Sequence, residues 1–303
     1  MKGFVLAAGF GSRLRPLTDV VPKPLLRVGQ IPLIGYALRL LAHHGIREVI
    51  VNTHHLDERL REEVGDGSEF EVDIVYSHEP EILGTGGAIK KMQAALDETF
   101  VILNSEVMIG LDLADVIASH HRSGGIATMV LREDAKHPAS GAIEIDGDDR
   151  VQRILGDGDS SARLQPMMFT GCHVIEPRFL EYLPPEVESC IVRYGYRKAL
   201  ANAESINAYR HDGLWLDAGT PELFLEANRW FLNGRLKLPS LGAGLSARPA
   251  DGLEIEASAS VHAGATLVPP VSVGPRAKIA DGAQVGPDVV VQSRATVGSN
   301  ARL

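Results

Sequence analysis

The chain has 303 residues, of which 45% are hydrophobic and 5% aromatic, and its formal net charge is −9. A nucleic-acid-binding protein would need a basic face and stacking aromatic rings, so this composition argues against nucleic acid as a partner. No apolar run approaches the roughly 20 residues of a membrane span, and the two cysteines have neither metal-ligand spacing nor the number that a disulfide framework needs. We expect a cytoplasmic protein without a membrane partner, long enough for one large domain and a smaller one.

Buried strands alternate with amphipathic helices in the first half of the chain. The apolar runs that predict strands lie at residues 3–8, 48–52, 72–76, 100–103 and 126–131. The helical patterns lie at residues 31–45, 56–65 and 113–124, and each ends near a glycine. This alternation predicts an α/β fold with a Rossmann-like, mostly parallel sheet covered on both faces. Ligands of such sheets bind at the carboxyl ends of the strands.

A glycine loop flanked by cations follows the first predicted strand. Residues 9–16 read GFGSRLRP, and Lys23 follows. Glycines let backbone N–H groups approach an anion, so the loop is typical of phosphate binding. A dinucleotide fingerprint would need a glycine where Leu14 stands, and a Walker loop would end in Gly-Lys-Ser/Thr, so the sequence excludes both. The arginines and the lysine supply positive charge that the backbone alone would not.

A change in composition after Trp230 marks the end of the first domain, which we place at residues 1–232. Residues 233–252 are rich in glycine and proline and predict a linker. In residues 253–303 a large aliphatic side chain recurs at every sixth position, and alanine or valine stands four places after each of the first eight. The large residues are Ile255, Val261, Leu267, Val273, Ile279, Val285, Val291, Val297 and Leu303. This period predicts a short hexapeptide-repeat β-helix, whose open ends favour oligomerisation.

Several motifs resemble, in the same order, those of the sugar-1-phosphate nucleotidyltransferases. The longest is N-terminal, where residues 7–18 read AAGFGSRLRPLT and residues 22–26 read PKPLL. Further matches are GDGSEF (65–70), LGTGGAI (83–89), LNSEV (103–107), SGAIEID (140–146), FTG (169–171) and WLDAGTPE (215–222). The GDGS and TGGAI segments resemble muramate-phosphate uridylyltransferases in particular. The C-terminal repeat resembles the left-handed β-helix of mannose-1-phosphate guanylyltransferases.

The resemblance implies a GT-A-like nucleotidyltransferase domain that joins a sugar 1-phosphate to a nucleoside triphosphate and releases pyrophosphate. In-line attack at the α-phosphorus requires two anions to be aligned and the charge on the leaving group to be neutralised. The implied cofactor is Mg²⁺. The implied partners are the two substrates and further copies of the chain, joined through the β-helix.

The resemblance also assigns roles to single residues. The expected catalytic residues are Arg13 and Lys23, with Lys23 at the α-phosphate. The expected nucleotide-binding residues are Leu6, Ala7, Ala8, Gly9, Gly11, Ser12, Arg13, Gly84, Thr85 and Gly86. The expected sugar-phosphate-binding residues are Gly141, Thr170 and Gly171.

Glu106 and Asp217 are the metal ligands that the resemblance implies, because Mg²⁺ prefers oxygen ligands. Glu106 departs from the family, which places aspartate after the preceding Asn-Gly or Asn-Ser pair. Glutamate keeps the charge and lengthens the side chain by one methylene. Either the backbone compensates for this length or the carboxylate no longer binds the metal.

A second departure concerns the sugar side. Many relatives carry a lysine that contacts the sugar phosphate, and this chain has no counterpart where residues 150–161 read RVQRILGDGDSS. Arg153 either substitutes for that lysine or is an ordinary surface residue. Three adjacent histidine pairs, at 43–44, 54–55 and 120–121, lack a helical HxxxH pattern or cysteine partners, so we expect no transition metal.

Two other functions stay open. A catalytically silent homologue that binds nucleotide-sugars and regulates a partner would fit both Glu106 and the absent lysine. An acyltransferase is the other alternative, because hexapeptide β-helices often carry that activity, but only His262 offers a plausible base.

Overall fold

A computed structural model describes residues 1–133, 143–158, 163–185, 187–241 and 251–303. The strands before the C-terminal repeat are β1 (Lys2–Leu6), β2 (Arg27–Val28), β3 (Ile31–Pro32), β4 (Glu48–Thr53), β5 (Asp73–His78), β6 (Phe100–Asn104), β7 (Val107–Ile109), β8 (Ala127–Arg132), β9 (Ile143–Ile145), β10 (Val151–Ile154), β11 (Asp157–Gly158), β12 (Gln165–Ile175), β13 (Ile206–Arg210) and β14 (Trp215–Asp217). The α-helices are α1 (Leu33–His43), α2 (Asp57–Val64), α3 (Gly84–Lys91), α4 (Leu113–Ser123), α5 (Arg197–Ala201) and α6 (Pro221–Leu232). Among the described residues, no helix is long and apolar enough to cross a membrane.

The central sheet has ten strands. Eight of them follow the order β11-β10-β9-β12-β6-β1-β4-β5, and β8 joins β12 and β13. Strands β6, β1, β4 and β5 are parallel neighbours. Strand β12 runs antiparallel to both β6 and β8, and β13 runs parallel to β8. Strands β1, β4, β6, β8 and β13 therefore all end at one edge of the sheet.

The structure confirms the predicted α/β fold with a parallel-rich sheet. Each of the five predicted strands and three predicted helices is present, with ends displaced by at most two residues. The antiparallel strands β9 to β12 were not predicted, because β9, β10 and β11 have only two to four residues, too few to show a period, and β12 does not alternate regularly between polar and apolar residues. Glycines end the predicted helices: Gly45 and Gly124 follow α1 and α4 with positive φ angles of 76° and 64°.

Two apolar cores cover the two faces of the sheet. Phe4, Ile50 and Ile102 pack on one face, and their sequence neighbours Val5, Val51 and Leu103 pack on the other. This alternation is the two-residue period of a strand, applied to strands that are buried on both sides. Helices α1 and α4 contribute to one core and α3 and α5 to the other.

A third apolar cluster supports the region around the glycine loop. It contains Leu14, Leu216 from β14, and Phe231 from α6. Its members also include Leu236, Leu238 and Leu241, which are 3–5% exposed. The beginning of the predicted linker thus packs on the first domain, while residues 242–250 lie outside the described residues. The domain boundaries themselves stay a prediction.

The C-terminal repeat forms three narrow parallel sheets, as in a β-helix. Its strands are β15 (Leu253–Ile255), β16 (Ser260–Val261), β17 (Thr266–Leu267), β18 (Val271–Val273), β19 (Lys278–Ile279), β20 (Gln284–Val285), β21 (Val289–Val291) and β22 (Thr296–Val297). Leu253 pairs with Val271, which pairs with Val289, so one turn takes three hexapeptides. The predicted large and small positions fill the interior of the stack; Ile279 is 2% exposed and Ala283 is fully buried.

The stack is open at both ends and attached to the first domain at one side. Ile255 in the first turn is 46% exposed and Leu303 in the last is 58% exposed, because no further turn covers them. The side-chain amide of Gln30 donates to the Val291 carbonyl at 3.2 Å and accepts from the Ser293 amide at 3.2 Å. Gln30 thereby fixes the final turn against the first domain.

Candidate active site

The glycine loop lies between the end of β1 and a short 3-10 helix, Ser12–Leu14. Gly11 has a φ angle of 62°, and a β-carbon added there would lie 2.9 Å from Lys23 Cβ and 2.9 Å from Thr18 Cγ2. The Thr18 hydroxyl donates to the Gly11 carbonyl at 2.9 Å, and Leu14 is fully buried. Only glycine lets this loop turn so close to Lys23.

A cleft of about 240 Å³ opens beside this loop, where β1 and β6 end. Most of the expected nucleotide-binding residues line it: Leu6, Ala7, Ala8, Gly9, Gly11, Gly84 and Thr85. Lys23 and Glu106 also line it. Ser12 and Arg13 are exposed and do not line the cleft. Gly86 lies behind its wall, where its amide donates to the Ser189 carbonyl at 2.7 Å.

Lys23 and Glu106 form an ion pair at one end of the cleft. Lys23 Nζ lies 2.7 Å from Glu106 Oε1, and the two side chains are 12% and 17% exposed. The other carboxylate oxygen, Oε2, accepts from the Ser105 hydroxyl at 3.3 Å. The structure therefore brings together the expected catalytic lysine and one expected metal ligand, which are far apart in the sequence.

Asp217 stands beside this pair because β14 and β7 are antiparallel neighbours. Asp217 pairs with Val107 across the two strands, and the Ala218 amide donates to the Glu106 carbonyl at 3.3 Å. Burial, and after it the Glu106 carboxylate, raise the pKa of Asp217 above its usual range, while Lys23 and Arg13 act in the opposite direction.

Arg13 reaches the same place from the glycine loop. A β-carbon added at Gly219 would lie 2.6 Å from Arg13 Nη2 and 2.8 Å from Asp217 Oδ1. The absent side chain of Gly219 thus leaves room for both groups. The two expected catalytic residues and the two expected metal ligands therefore converge beside the cleft: Lys23 and Glu106 line it, and Asp217 and Arg13 lie next to them outside its lining.

The acidic residues present fit a hard divalent cation such as Mg²⁺. Two carboxylates, Glu106 and Asp217, are adjacent, and oxygen is the ligand that Mg²⁺ prefers. Asp217 Oδ1 is buried and has no hydrogen-bond partner among the residues that the structure describes. A buried carboxylate oxygen is normally paired, so this orphaned atom fits a site completed by a cation.

Histidines of the adjacent pairs make hydrogen bonds to backbone and side-chain groups of the protein. His54 Nδ1 lies 2.8 Å from the Glu79 carbonyl, and His55 Nε2 lies 2.8 Å from the Thr18 carbonyl. Within the described ranges, one group of three potential ligands lies close enough to hold an ion: His120, His121 and Glu176. Both ring nitrogens of His120 are already engaged, by the Thr128 hydroxyl at 2.9 Å and by Glu176 at 3.0 Å.

Sequence reasoning missed two polar residues in the wall of the cleft, Asn52 and Glu79. Asn52 Oδ1 accepts from the Ala7 amide at 2.8 Å, and its Nδ2 donates to Glu79 Oε1 at 2.8 Å. Glu79 is fully buried, and its Oε2 accepts from the Leu83 amide at 2.8 Å. The network joins the end of β1 to the start of α3, so it fixes the two glycine segments relative to each other. The signal was a polar residue inside the apolar run of β4.

The expected sugar side is only partly described. Gly141 lies outside the described residues. The Thr170 side chain is buried and donates to the Val130 carbonyl at 2.7 Å. Gly171 has a φ angle of 87°, and an added β-carbon would lie 2.7 Å from Asn104 Nδ2 in the cleft wall. Arg153, the candidate substitute for the absent lysine, is paired with Glu144 at 3.0 Å instead.

The fold and the cleft define an α/β protein with a glycine loop at the carboxyl edge of its sheet, where ligands of such sheets bind. A family model described as nucleotidyl transferase matches residues 2–234. The chain therefore belongs to the nucleotidyl transferase family, which confirms the resemblance inferred from its motifs.

Named relatives agree with this membership. Over its whole length the chain is 29% identical to a UTP–glucose-1-phosphate uridylyltransferase from Synechocystis and covers 86% of that protein. It is 32% identical to a mannose-1-phosphate guanylyltransferase from Mycobacterium tuberculosis, over 78% of this chain and 66% of that one. It is 30% identical to an N-acetylmuramate alpha-1-phosphate uridylyltransferase from Neisseria meningitidis, over 73% of this chain and 94% of that one.

Solved structures share the fold. A crystal structure described as a glucose-1-phosphate thymidylyltransferase from Bacillus anthracis superimposes with a TM-score of 0.64 at 22% identity. The match covers 76% of this chain and 94% of that one.

Proposed function

We propose that the protein joins a sugar 1-phosphate to a nucleoside triphosphate, giving a nucleotide-sugar and pyrophosphate. The observation that carries this proposal is the convergence of Arg13, Lys23, Glu106 and Asp217 beside a glycine-lined cleft. The activities in the names of the relatives support it.

The chemistry needs no covalent bond to the protein. An oxygen of the sugar phosphate attacks the α-phosphorus in line, and the bond from that phosphorus to the bridging oxygen breaks. Pyrophosphate leaves with the electron pair of that bond. The protein's task is to align two anions and neutralise the charge that develops on the leaving group. We expect the backbone of the glycine loop to hold the triphosphate, Lys23 to contact the α-phosphate, and Arg13 to face the pyrophosphate.

Glu106 and Asp217 would hold Mg²⁺, which when bound neutralises charge on phosphate oxygens. The orphaned Oδ1 of Asp217 supports this role. In the structure Lys23 forms an ion pair with Glu106. We therefore expect this ion pair to open when the substrates bind, so that Lys23 contacts the α-phosphate.

We also propose that the protein is a homo-oligomer assembled through its β-helix. The exposed aliphatic residues at the two ends of the stack, Ile255 and Leu303, support this assembly.

His262, the candidate base for acyl transfer, is 57% exposed on this stack, with Nδ1 3.0 Å from Asp281 Oδ1.

A substrate matrix tests the reaction. Nucleoside triphosphates with different bases are combined with glucose, mannose and N-acetylmuramate 1-phosphates, and magnesium-dependent pyrophosphate release is measured. We expect turnover for at least one pair. Tight ligand binding with no turnover in any combination would contradict the proposal and favour the regulatory alternative.

A further inference from the structure

A second cavity lies at the same edge of the sheet as the nucleotide cleft. It has a volume of about 430 Å³ and is found where β8 and β13 end. Its lining residues are Arg132, Glu133, Met167, Arg210, His211 and Asp212. Strands β8 and β6 are both antiparallel to β12, so they run in the same direction. Both therefore end at the edge of the sheet where the nucleotide cleft opens.

Arg132 is the half-buried cation at this cavity that makes no ion pair with any described residue. Its guanidinium lies 5.4 Å from the ring centre of Trp215, and Nη1 makes one long contact, 3.4 Å, to the Gly213 carbonyl. A guanidinium has five N–H donors, so most of its hydrogen-bonding capacity is unused by the residues that the structure describes.

Two of the other charged groups that line the cavity, Arg210 and Glu133, have partners outside Arg132, and Asp212 is a further carboxylate in the lining. Arg210 donates through Nε to Asp149 at 2.5 Å and through Nη1 to Gln165 at 2.7 Å. The Glu133 carboxylate, next to Arg132 in the chain, accepts from the side-chain amide of Gln165. The arginine that the sequence suggested for this role, Arg153, is held by Glu144.

Trp215 connects Arg132 to the expected sugar site. Its indole N–H donates to the Thr170 carbonyl at 2.9 Å, and Thr170 and Gly171 are the residues expected beneath the sugar. Trp215 is also two residues before Asp217 on β14, so the two side chains leave the strand on the same side. The Trp215 side chain thus lies between Arg132 and the expected sugar wall.

We propose that Arg132 binds an anionic group of the sugar substrate, either its 1-phosphate or a carboxylate carried by the sugar. This inference rests on the proposed function. A planar guanidinium matches both anions through two parallel hydrogen bonds. Stacking on Trp215 orients the guanidinium face and leaves its edges available. Arg132 takes the place of the lysine that this chain lacks.

Three variants test the assignment by steady-state kinetics with the triphosphate that the wild type uses best. We expect Arg132→Gln to raise KM for the sugar 1-phosphate by about tenfold or more and to leave KM for the triphosphate within about twofold, because a lost charge-assisted contact costs about 1.5–3 kcal/mol. The KM of Arg132→Lys for the sugar 1-phosphate should lie between those of the wild type and Arg132→Gln, since lysine keeps the charge and lacks the planar guanidinium. Arg122→Gln, at an exposed arginine on α4 that lines neither cavity, is the matched control, with kinetics like those of the wild type.

The identity of the sugar 1-phosphate distinguishes the two anions. A KM increase of similar size for glucose, mannose and N-acetylmuramate 1-phosphates assigns Arg132 to the phosphate. An increase confined to N-acetylmuramate 1-phosphate assigns it to a carboxylate. Unchanged sugar KM values, or equal increases for sugar and triphosphate, would overturn the proposal.

A wild type without turnover would refute the proposed function and not this contact. Calorimetric titration with the same three sugar 1-phosphates then decides. Weaker binding of at least one of them by Arg132→Gln than by the wild type and Arg122→Gln supports the contact, and equal affinities overturn it.

Discussion

The ion pair between Lys23 and Glu106 gives a physical reason for a glutamate at a position where the family places aspartate. Both side chains are largely shielded from solvent, and their charged atoms are 2.7 Å apart. Shielding makes such a pair stronger than a pair on the surface. The additional methylene of Glu106 therefore allows its carboxylate to reach Lys23.

We expect Glu106→Asp to lower kcat by about tenfold or more, since the shorter side chain withdraws its carboxylate by about one bond length and small misplacements are costly in such sites. Pyrophosphate release at saturating substrates measures this effect. Glu58→Asp, on the exposed face of α2, is the control. A faster Glu106→Asp enzyme would show that the site is not adapted to glutamate.

We expect the ionised Asp217 carboxylate to lower the stability of the folded state while it serves the reaction. Its folded-state pKa lies above the ordinary value, chiefly because of burial, so the ionised carboxylate disfavours folding at neutral pH. This destabilisation is lost as the pH falls through the raised folded-state pKa and is absent below the unfolded-state pKa. We expect Asp217→Asn to have a higher Tm than the wild type at pH 7, with a difference that shrinks on acidification.

The same variant should lose about 100-fold or more in turnover, because charge stabilisation at the reacting phosphate is lost. Thermal scans without ligands, from pH 7 downward, together with the pyrophosphate assay, measure both effects. A lower Tm at pH 7, or a Tm difference that does not change with pH, would contradict this account of Asp217.

At the scale of elements, the polar network of Asn52 and Glu79 fixes the position of the end of strand β1 relative to the start of helix α3. Each carboxylate oxygen of Glu79 accepts from a different element, one from β4 and one from the turn before α3. The glycine segments on the two sides of the cleft are thereby positioned by a residue that is fully buried. A buried network of this kind is specific only while every group in it is satisfied.

We expect Glu79→Gln to raise KM for the triphosphate several-fold and to lower the free energy of unfolding by about 1–3 kcal/mol, because its amide turns a donor towards Asn52 or Leu83. KM for the sugar 1-phosphate should change less. Denaturant titration and steady-state kinetics measure the two effects, and Glu81→Gln, exposed on the same turn, is the control. Equal increases in both KM values would indicate general loss of structure.

At the scale of the whole molecule, the β-helix is a small stack fixed at its side by Gln30 and open at its ends. Exposed apolar residues at the ends of a stack, next to unpaired backbone groups, favour contact with another copy. The two units are joined by hydrogen bonds and by Val290, which packs on the third apolar cluster.

We expect the double variant Ile255→Glu and Leu303→Glu to dissociate the oligomer, because buried charges at the contact would be unpaired. Light scattering coupled to size exclusion measures the mass. Val75→Glu, a substitution at a residue that is 57% exposed on β5, is the control. An unchanged mass for the double variant would exclude the stack ends as the interface.

Local pattern was sufficient for much of the fold. The apolar runs gave the central strands, and the hexapeptide period gave the β-helix, because the side chains of each repeat point to the same interior. The motifs around Gly11, Glu106 and Asp217 gave the family, since each is a short contiguous segment. Asn52, Glu79 and Arg132 were missed because each stands alone in an apolar strand or beside a turn, with nothing local to indicate a partner.

The sequence by itself determined the α/β class, the repeat, the glycine loop and the residue types that its chemistry requires. Only the tertiary structure decided which charges meet: Lys23 with Glu106, Asp217 beside both, and Arg132 on Trp215. The reason is physical. Local periodicity records which face of an element is buried, whereas contacts between residues distant in the chain depend on strand order and packing, which no single segment encodes.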